Sequence, residues 1–407
     1  MKIDRNFLFY LLVSGLGISF TILFQLAAIV LFDKNDYGKF SAINAAFTVI
    51  ALAFSTVPWT LQRSAISFVN ERRNVQHFRY FGKTNQLAQF ERNILKLSIF
   101  ASALVLITLA VLTIFYERRA IGYASLAIFL PATALISIGF GRLQIAGNLL
   151  KLNVYSSLLA AVRLIPLLLL FFIKIDPVIV LYLIAIVFFV YGDFLNTRIN
   201  SQNINHNYED GMQPYYSLIV NLFFWTLMSL DLLTVRLSFT AESASSYSLV
   251  GNLVRFGAIP VFYIVQTYFY SNGSLQNGIP ADFRRLIYTI SVYWLLFSIS
   301  LLTLINFTQQ IFPSSSFVEL LNGVDDLPII YLLMSFFLVI SIPFSQLILN
   351  RVGKLDLIWV LIMICGNILI TFFLINSHAQ MVVLQLATFL VFLFYIFINS
   401  ISLGKKR

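Results

Sequence analysis

The sequence predicts an all-α polytopic membrane protein, with about twelve transmembrane helices in two six-helix bundles and both the N- and C-termini cytoplasmic. Three features lead there: long apolar runs, a one-sided distribution of basic residues, and a polar phrase that recurs at matching places in the two halves.

The 407 residues are 59% hydrophobic and only 11% charged, with a mean hydropathy of +0.87. A water-soluble chain of this length has no interior able to hide that much apolar surface. A helix of about 20 apolar residues, by contrast, crosses a bilayer core of roughly 30 Å. Apolar runs lie at 7–32, 40–61, 94–116, 120–141, 154–173, 177–197, 214–237, 245–270, 286–307, 328–350, 355–376 and 380–403. The first is too long for the core of a signal peptide and shows no small-residue cleavage site, so it is expected to be retained. The second follows the tight turn "DKNDYGKFSAIN". Only 117–119 separates the third from the fourth, and only 174–176 the fifth from the sixth. The seventh begins beyond the polar stretch 198–213, and the eighth begins within "LSFTAESASSYSLVGN". Arg284 and Arg285 precede the ninth; the outer segment 308–327, where one short surface helix is expected, precedes the tenth. The eleventh and twelfth lead to the basic tail Lys405, Lys406, Arg407. No loop is long enough for a soluble domain. The longest, 62–93, contains "NERRNVQHFRYFGKTNQLAQFER", which suits either an interfacial segment on an anionic leaflet or a solvated linker.

The net charge of +10 could point to nucleic acid, but its distribution does not. With a cytoplasmic N-terminus, the inner loops and tails hold 18 Lys and Arg and the outer loops hold 5. That asymmetry is the positive-inside signature, so no nucleic-acid partner is expected. The single cysteine, Cys365, lies in an apolar run, and His77, His206 and His378 are scattered. Neither a disulfide framework nor a metal centre is expected, and no cofactor is called for.

The repeated phrase is "RLQIAGNLLKLN", Arg142 to Asn153, and "SQLILNRVGKLD", Ser345 to Asp356. The copies fall after the fourth and the tenth runs, at equivalent inner turns of two six-helix sets. The chain is therefore expected to divide into a bundle over 1–200, a cytoplasmic linker over 201–213 and a bundle over 214–407. Parallel halves related by an axis along the membrane normal are a known transporter plan.

The stretches "LVSGLGISF", "LFDKNDYGKFSAINAAF", "RLQIAGNLLKLNVYSSLLAAVRL" and "SLDLLTVRLS…SSYSLVGNLVRF" resemble the oligosaccharide flippases. These are the Wzx-type polysaccharide export proteins of the multidrug/oligosaccharidyl-lipid/polysaccharide (MOP) superfamily. The resemblance is diffuse and spans nearly the whole chain. It implies a MATE-like pair of bundles around a cavity that opens alternately to the two sides of a bacterial cytoplasmic (inner) membrane. The implied cargo is an undecaprenyl-pyrophosphate-linked oligosaccharide for surface polysaccharide such as O-antigen or exopolysaccharide. Implied partners are membrane lipids, a polysaccharide polymerase and a chain-length regulator, with coupling to a proton or sodium gradient.

Within the runs, only Arg163, Asp231 and Arg255 lie more than five residues from an end. A charge at the centre of a membrane helix costs roughly 2.5–3.5 kcal/mol, so such residues face a bundle interior or a wet cavity. A guanidinium offers a planar fork of donors to phosphate oxygens, which makes Arg255 and Arg163 candidates for a pyrophosphate. The resemblance supports Arg255 in particular; the alternative is a buried pair with Asp231 on the neighbouring helix. Arg142 is either a third phosphate contact or a positive-inside anchor. Asp231 is the ion-coupling candidate, and Asp193 reads as an interface group. Gln25, Asn44, Asn221 and Asn252 fall on the helices that line the cleft in proteins of the resembled architecture, and would bind sugar hydroxyls. Gln266, Asn306, Asn367 and Gln385 complete the polar set, and interhelical hydrogen bonding is the alternative for each. Pro58, Pro131, Pro166, Pro260 and Pro343 are expected to interrupt helices, and Pro260 could bend the eighth.

A flippase is the leading expectation and a multidrug exporter on the same fold the alternative, disfavoured by two deep Arg against one Asp. An enzyme is not expected, because the longest outer segment holds Glu319, Asp325 and Asp326 without Lys, Arg or His. A major-facilitator carrier would bring a long central loop that is missing here.

Overall fold

The computed structural model describes residues 5–54, 85–116, 122–145, 148–173, 175–199, 222, 224–227, 229–258, 260, 261, 265, 283–311, 318, 321, 327–349 and 354–404. Asn221, Gln266, Pro58, His77, His206, the linker 201–213 and most of 62–93 lie outside them. Among the described residues there is helix and no strand, and seven helices are long and apolar enough to cross a membrane. This is a multi-pass membrane protein. Hydrocarbon gives an unpaired backbone group nothing to bond to, so an apolar run resolves as a helix.

Each of the twelve apolar runs overlaps a described helix. In the first half these are α1 (Arg5–Leu31), α2 (Lys34–Phe54), α3 (Asn85–Tyr116), α4 (Ser125–Ile145), α5 (Leu149–Val162) and α6 (Pro177–Arg198). In the second half they are α7 (Leu230–Ser238), α8 (Ala241–Phe256), α9 (Phe283–Ile311), α10 (Leu327–Leu349), α11 (Lys354–Leu374) and α12 (His378–Gly404).

The ends differ from the apolar runs where polar residues cap. The Asp36 amide donates to the Asp33 carboxylate at 2.8 Å, so α2 begins six residues before its apolar run. Asn148, inside the first repeated phrase, accepts from the Lys151 amide at 3.3 Å and starts α5. At the head of α12, Ser377 accepts from the Gln380 amide at 3.3 Å while Gln380 accepts from the Ser377 amide at 3.2 Å. That reciprocal pair is a capping box. Among the prolines, Pro166 does break its helix: α5 stops at Val162, and a short turn resumes over Ile165–Leu168. Pro131 and Pro343, expected to interrupt, lie inside the unbroken helices α4 and α10. A proline costs one backbone bond, and packing on all sides can carry that loss.

The chain packs as two compact units: Met1–Leu31 with Ala46–Leu222, and Phe32–Ala45 with Phe223–Arg407. Helix α2 thus passes from the second unit to the first at Ala45. Residues 32–45, read from sequence with the first bundle, join the second unit, where the Asn252 amide donates to the Tyr37 hydroxyl at 3.2 Å.

In the first unit α4 packs along α6. A Cβ on Gly192 would lie 2.9 Å from the Leu135 Cβ and 3.1 Å from the Ala132 carbonyl, so the two backbones approach too closely for a side chain there. Asn196 seals the crossing, donating to the Leu135 and Gly192 carbonyls, each at 2.8 Å. Ser157 on α5 donates to the Val13 carbonyl of α1 at 2.6 Å. Phe47 stacks on Phe129 at 4.0 Å. Small residues and polar bridges at contacts are what helix packing in lipid requires. In the second unit, Gln385 donates to the Leu227 carbonyl at 2.6 Å and Asn367 to Thr388 at 2.7 Å. Trp294 bonds the Leu332 carbonyl at 3.3 Å.

Candidate functional site

The deepest chemistry lies in the second unit, where α7, α8 and α10 meet around Asp231. The seventh run does not continue as one helix: Ser229 takes φ −120°, ψ 11°, and a new helix opens at Leu230. Asp231 therefore stands in a first helical turn, where the exposed amide dipoles favour a carboxylate. Its side chain is fully buried. Oδ1 accepts from the Arg255 Nη2 at 2.5 Å. Oδ2 accepts from the Tyr247 hydroxyl at 2.9 Å and from the Tyr331 hydroxyl. The Arg255 guanidinium also stands 5.6 Å from the Tyr331 ring centroid, and the two tyrosine rings meet nearly edge to face at 5.5 Å.

A buried ion pair repays its desolvation only when further hydrogen bonds satisfy the remaining lone pairs. Here both carboxylate oxygens are used, with three donors from two other helices. Tyr247, Gly251 and Arg255 are spaced i, i+4, i+8 on one face of α8. The middle position is small because a Cβ on Gly251 would sit 2.8 Å from the Tyr331 hydroxyl. Exposure divides the group unevenly: the Arg255 side chain keeps 16% of its surface and Asp231 keeps none. Tyr247 and Tyr331 are likewise sealed. The cluster thus hides a carboxylate and two hydroxyls beside an arginine whose side chain keeps some accessible surface.

The other expected residues are dispersed. Arg163, in the first unit, lies over the Phe24 ring with its guanidinium carbon 4.1 Å from the centroid, a cation–π contact. It stands at the point where α5 stops, three residues before Pro166. Arg142 grips Glu91 through two nitrogens, at 2.8 and 2.7 Å, and donates to the Ile199 carbonyl at 3.1 Å. It fastens α3, α4 and the end of α6 together. Gln25 is 6% exposed, and its Oε1 has no hydrogen-bond partner among the described residues. Asn44 is buried in the second unit, the unit that also holds Asn252 and Tyr37. Asp193 and Asn306 are exposed. Asn367 and Gln385 form the interhelical bonds described above.

Sequence reasoning found Asp231 and Arg255, and left their pairing as one of two readings. It missed Tyr247, Tyr331, Glu91 and Phe24. The spacing from Tyr247 to Arg255 was a signal for one of these. Nothing local marks Tyr331, which lies 100 residues from its partner. Among the described residues, no group of His, Cys, Asp and Glu could hold a metal ion.

No protein-family model matches the chain, and no curated protein is significantly similar to it in sequence. Solved structures do resemble it. A MATE protein in the straight conformation superposes with a TM-score of 0.62 at 13% identity, over 98% of this chain and 96% of that one. A multidrug resistance MATE family transporter of the MOP superfamily, outward-facing, gives 0.60 at 13% identity, over 100% and 98%. A MOP superfamily transporter from Pyrococcus furiosus, described as having a binding pocket of reverse polarity that suggests a different function, gives 0.57 at 13% identity, over 97% and 95%. At such identities the shared property is the fold, and the fold is that of the MATE transporters of the MOP superfamily. Those neighbours are transporters.

Proposed function

We propose that this protein carries an anionic, lipid-linked oligosaccharide from the inner to the outer leaflet of a bacterial cytoplasmic membrane by alternating access. The cargo class is an undecaprenyl-pyrophosphate sugar, and the product serves surface polysaccharide synthesis. Arg255 donates to the pyrophosphate oxygens, and Asn44 and Asn252, in the same unit, serve the sugar hydroxyls. One observation carries the reading. In the Asp231 cluster the carboxylate is sealed and accepts three hydrogen bonds, and the member that keeps accessible surface is the Arg255 side chain. Guanidinium–phosphate contacts are charge-assisted and bidentate, and they gain strength where water is scarce.

The second reading is a multidrug exporter, favoured by the description of one structural neighbour as a multidrug resistance transporter. A cationic drug needs a carboxylate within reach, and both oxygens of Asp231 are already taken. The neighbour described as having a reverse-polarity pocket is a precedent for a different cargo on the same fold.

Arg255→Ala is expected to abolish polysaccharide export while the protein still accumulates in the membrane. Surface polysaccharide, read by gel and by cell-surface labelling, decides it: a normal level in that variant defeats the proposal. Increased drug tolerance in an efflux-deficient host expressing the wild-type chain would favour the second reading.

A further inference from the structure

We infer that Asp231, Tyr247 and Tyr331 form an internal exchange site that holds Arg255 in the absence of cargo and releases it when a pyrophosphate group arrives. The inference rests on the anionic cargo proposed above and concerns how the protein manages its own cation.

The geometry has two parts. Asp231 competes with any incoming anion, because its Oδ1 already accepts from Arg255 Nη2 at 2.5 Å. A guanidinium held by a buried carboxylate binds cargo only in the fraction of molecules where it is released, and apparent affinity falls by that fraction. A carboxylate with no other partner would make release prohibitive, since an unpaired buried charge costs several kcal/mol. Asp231 is not in that position. Its Oδ2 accepts from the Tyr247 and Tyr331 hydroxyls, so two hydrogen bonds to the ionised group persist after Arg255 turns away. The tyrosines are therefore positioning residues acting through Asp231. The packing leaves them in place: each is fully buried, while Arg255 alone keeps accessible surface.

Asp231→Asn and the tyrosine changes then have opposite effects. Removing the competing charge frees Arg255, and apparent affinity for a pyrophosphate rises by about fivefold or more, the lower range of site-to-site coupling. Turnover falls in that variant, because a tightly held cargo is not handed on. Tyr247→Phe with Tyr331→Phe strips the cushion, so Asp231 holds Arg255 more firmly and affinity drops by about fivefold or more. A purely structural cluster would move both variants the same way, in step with melting temperature.

The experiment uses the full chain in detergent at neutral pH. Calorimetric titration is run with inorganic pyrophosphate and, separately, with farnesyl pyrophosphate, alongside melting curves and a flipping assay in vesicles. Opposite shifts in affinity between the two variants, lost in an Arg255→Gln background, are the expected result. Shifts of the same sign, or none in a folded variant, overturn the inference while leaving the anionic cargo intact. If Asp231→Asn does not fold, the tyrosine variant decides alone, and unchanged affinity there overturns it. If the wild type binds neither pyrophosphate, the cargo proposal fails and the inference fails with it. Binding of the farnesyl compound alone identifies a lipid-linked source; equal binding of both identifies the bare phosphate group as sufficient.

Discussion

At the scale of single residues, the charges that sequence places in the membrane turn out to be occupied by the protein itself. Asp231 and Arg255 hold each other, and Arg142 holds Glu91. The second pair supplies a direct test. The Glu91 side chain is only 10% exposed, so Arg142→Ala leaves a largely buried carboxylate without its bidentate partner. We expect a loss of about 3 kcal/mol in the single variant. The double variant Glu91→Gln with Arg142→Gln should recover most of it, as a double-mutant cycle of detergent melts would record. A transport defect in Arg142→Ala that the double variant rescues marks an anchor; one it fails to rescue marks a cargo contact. Arg255 was legible in sequence, because a charge far inside an apolar run is conspicuous, and Arg142 because it stands at the end of one. The partner of Arg142 was not: Glu91 lies 51 residues away and just ahead of its apolar run, where nothing singles it out.

At the scale of helices, close crossings and caps set the geometry. The α4–α6 crossing depends on Gly192, where any Cβ meets the Leu135 side chain and the Ala132 carbonyl. Gly192→Val should force the helices apart and break the Asn196 bridge, costing about 1–3 kcal/mol. Thermal melting and protease resistance would both report it; an unchanged melting temperature would show that the crossing relaxes freely. Helix ends were partly readable. Asp33 precedes the polar turn and Asn148 sits within the repeated phrase, and each accepts from an amide three residues on. The prolines were a poorer guide, since Pro166 stands at a break and Pro131 and Pro343 do not. Missing one backbone bond is a local fact, whereas bending depends on what surrounds the helix.

At the scale of the whole molecule, two units and a MATE-type fold are in place, and the excess of basic residues in alternate loops predicts an orientation. We expect both termini to be cytoplasmic. Fluorescent-protein fusions at either end should be bright and alkaline-phosphatase fusions silent, and an active phosphatase at one end would reverse that assignment. Orientation matters to function, because leaflet-to-leaflet transport has a direction only once the inner face is known.

The amino-acid sequence by itself determined that the chain is helical, where its apolar runs lie and which charges lie within them. These are local properties: a run of apolar side chains has one low-energy form in hydrocarbon, and a charge within it is visible by inspection. Only the tertiary structure decided that Asp231 closes on Arg255 with Tyr247 and Tyr331 as further donors, and that residues 32–45 pack with the second unit. Those are meetings of side chains up to 215 residues apart, and no local pattern records them, because hydrogen-bond partners are chosen by proximity in space.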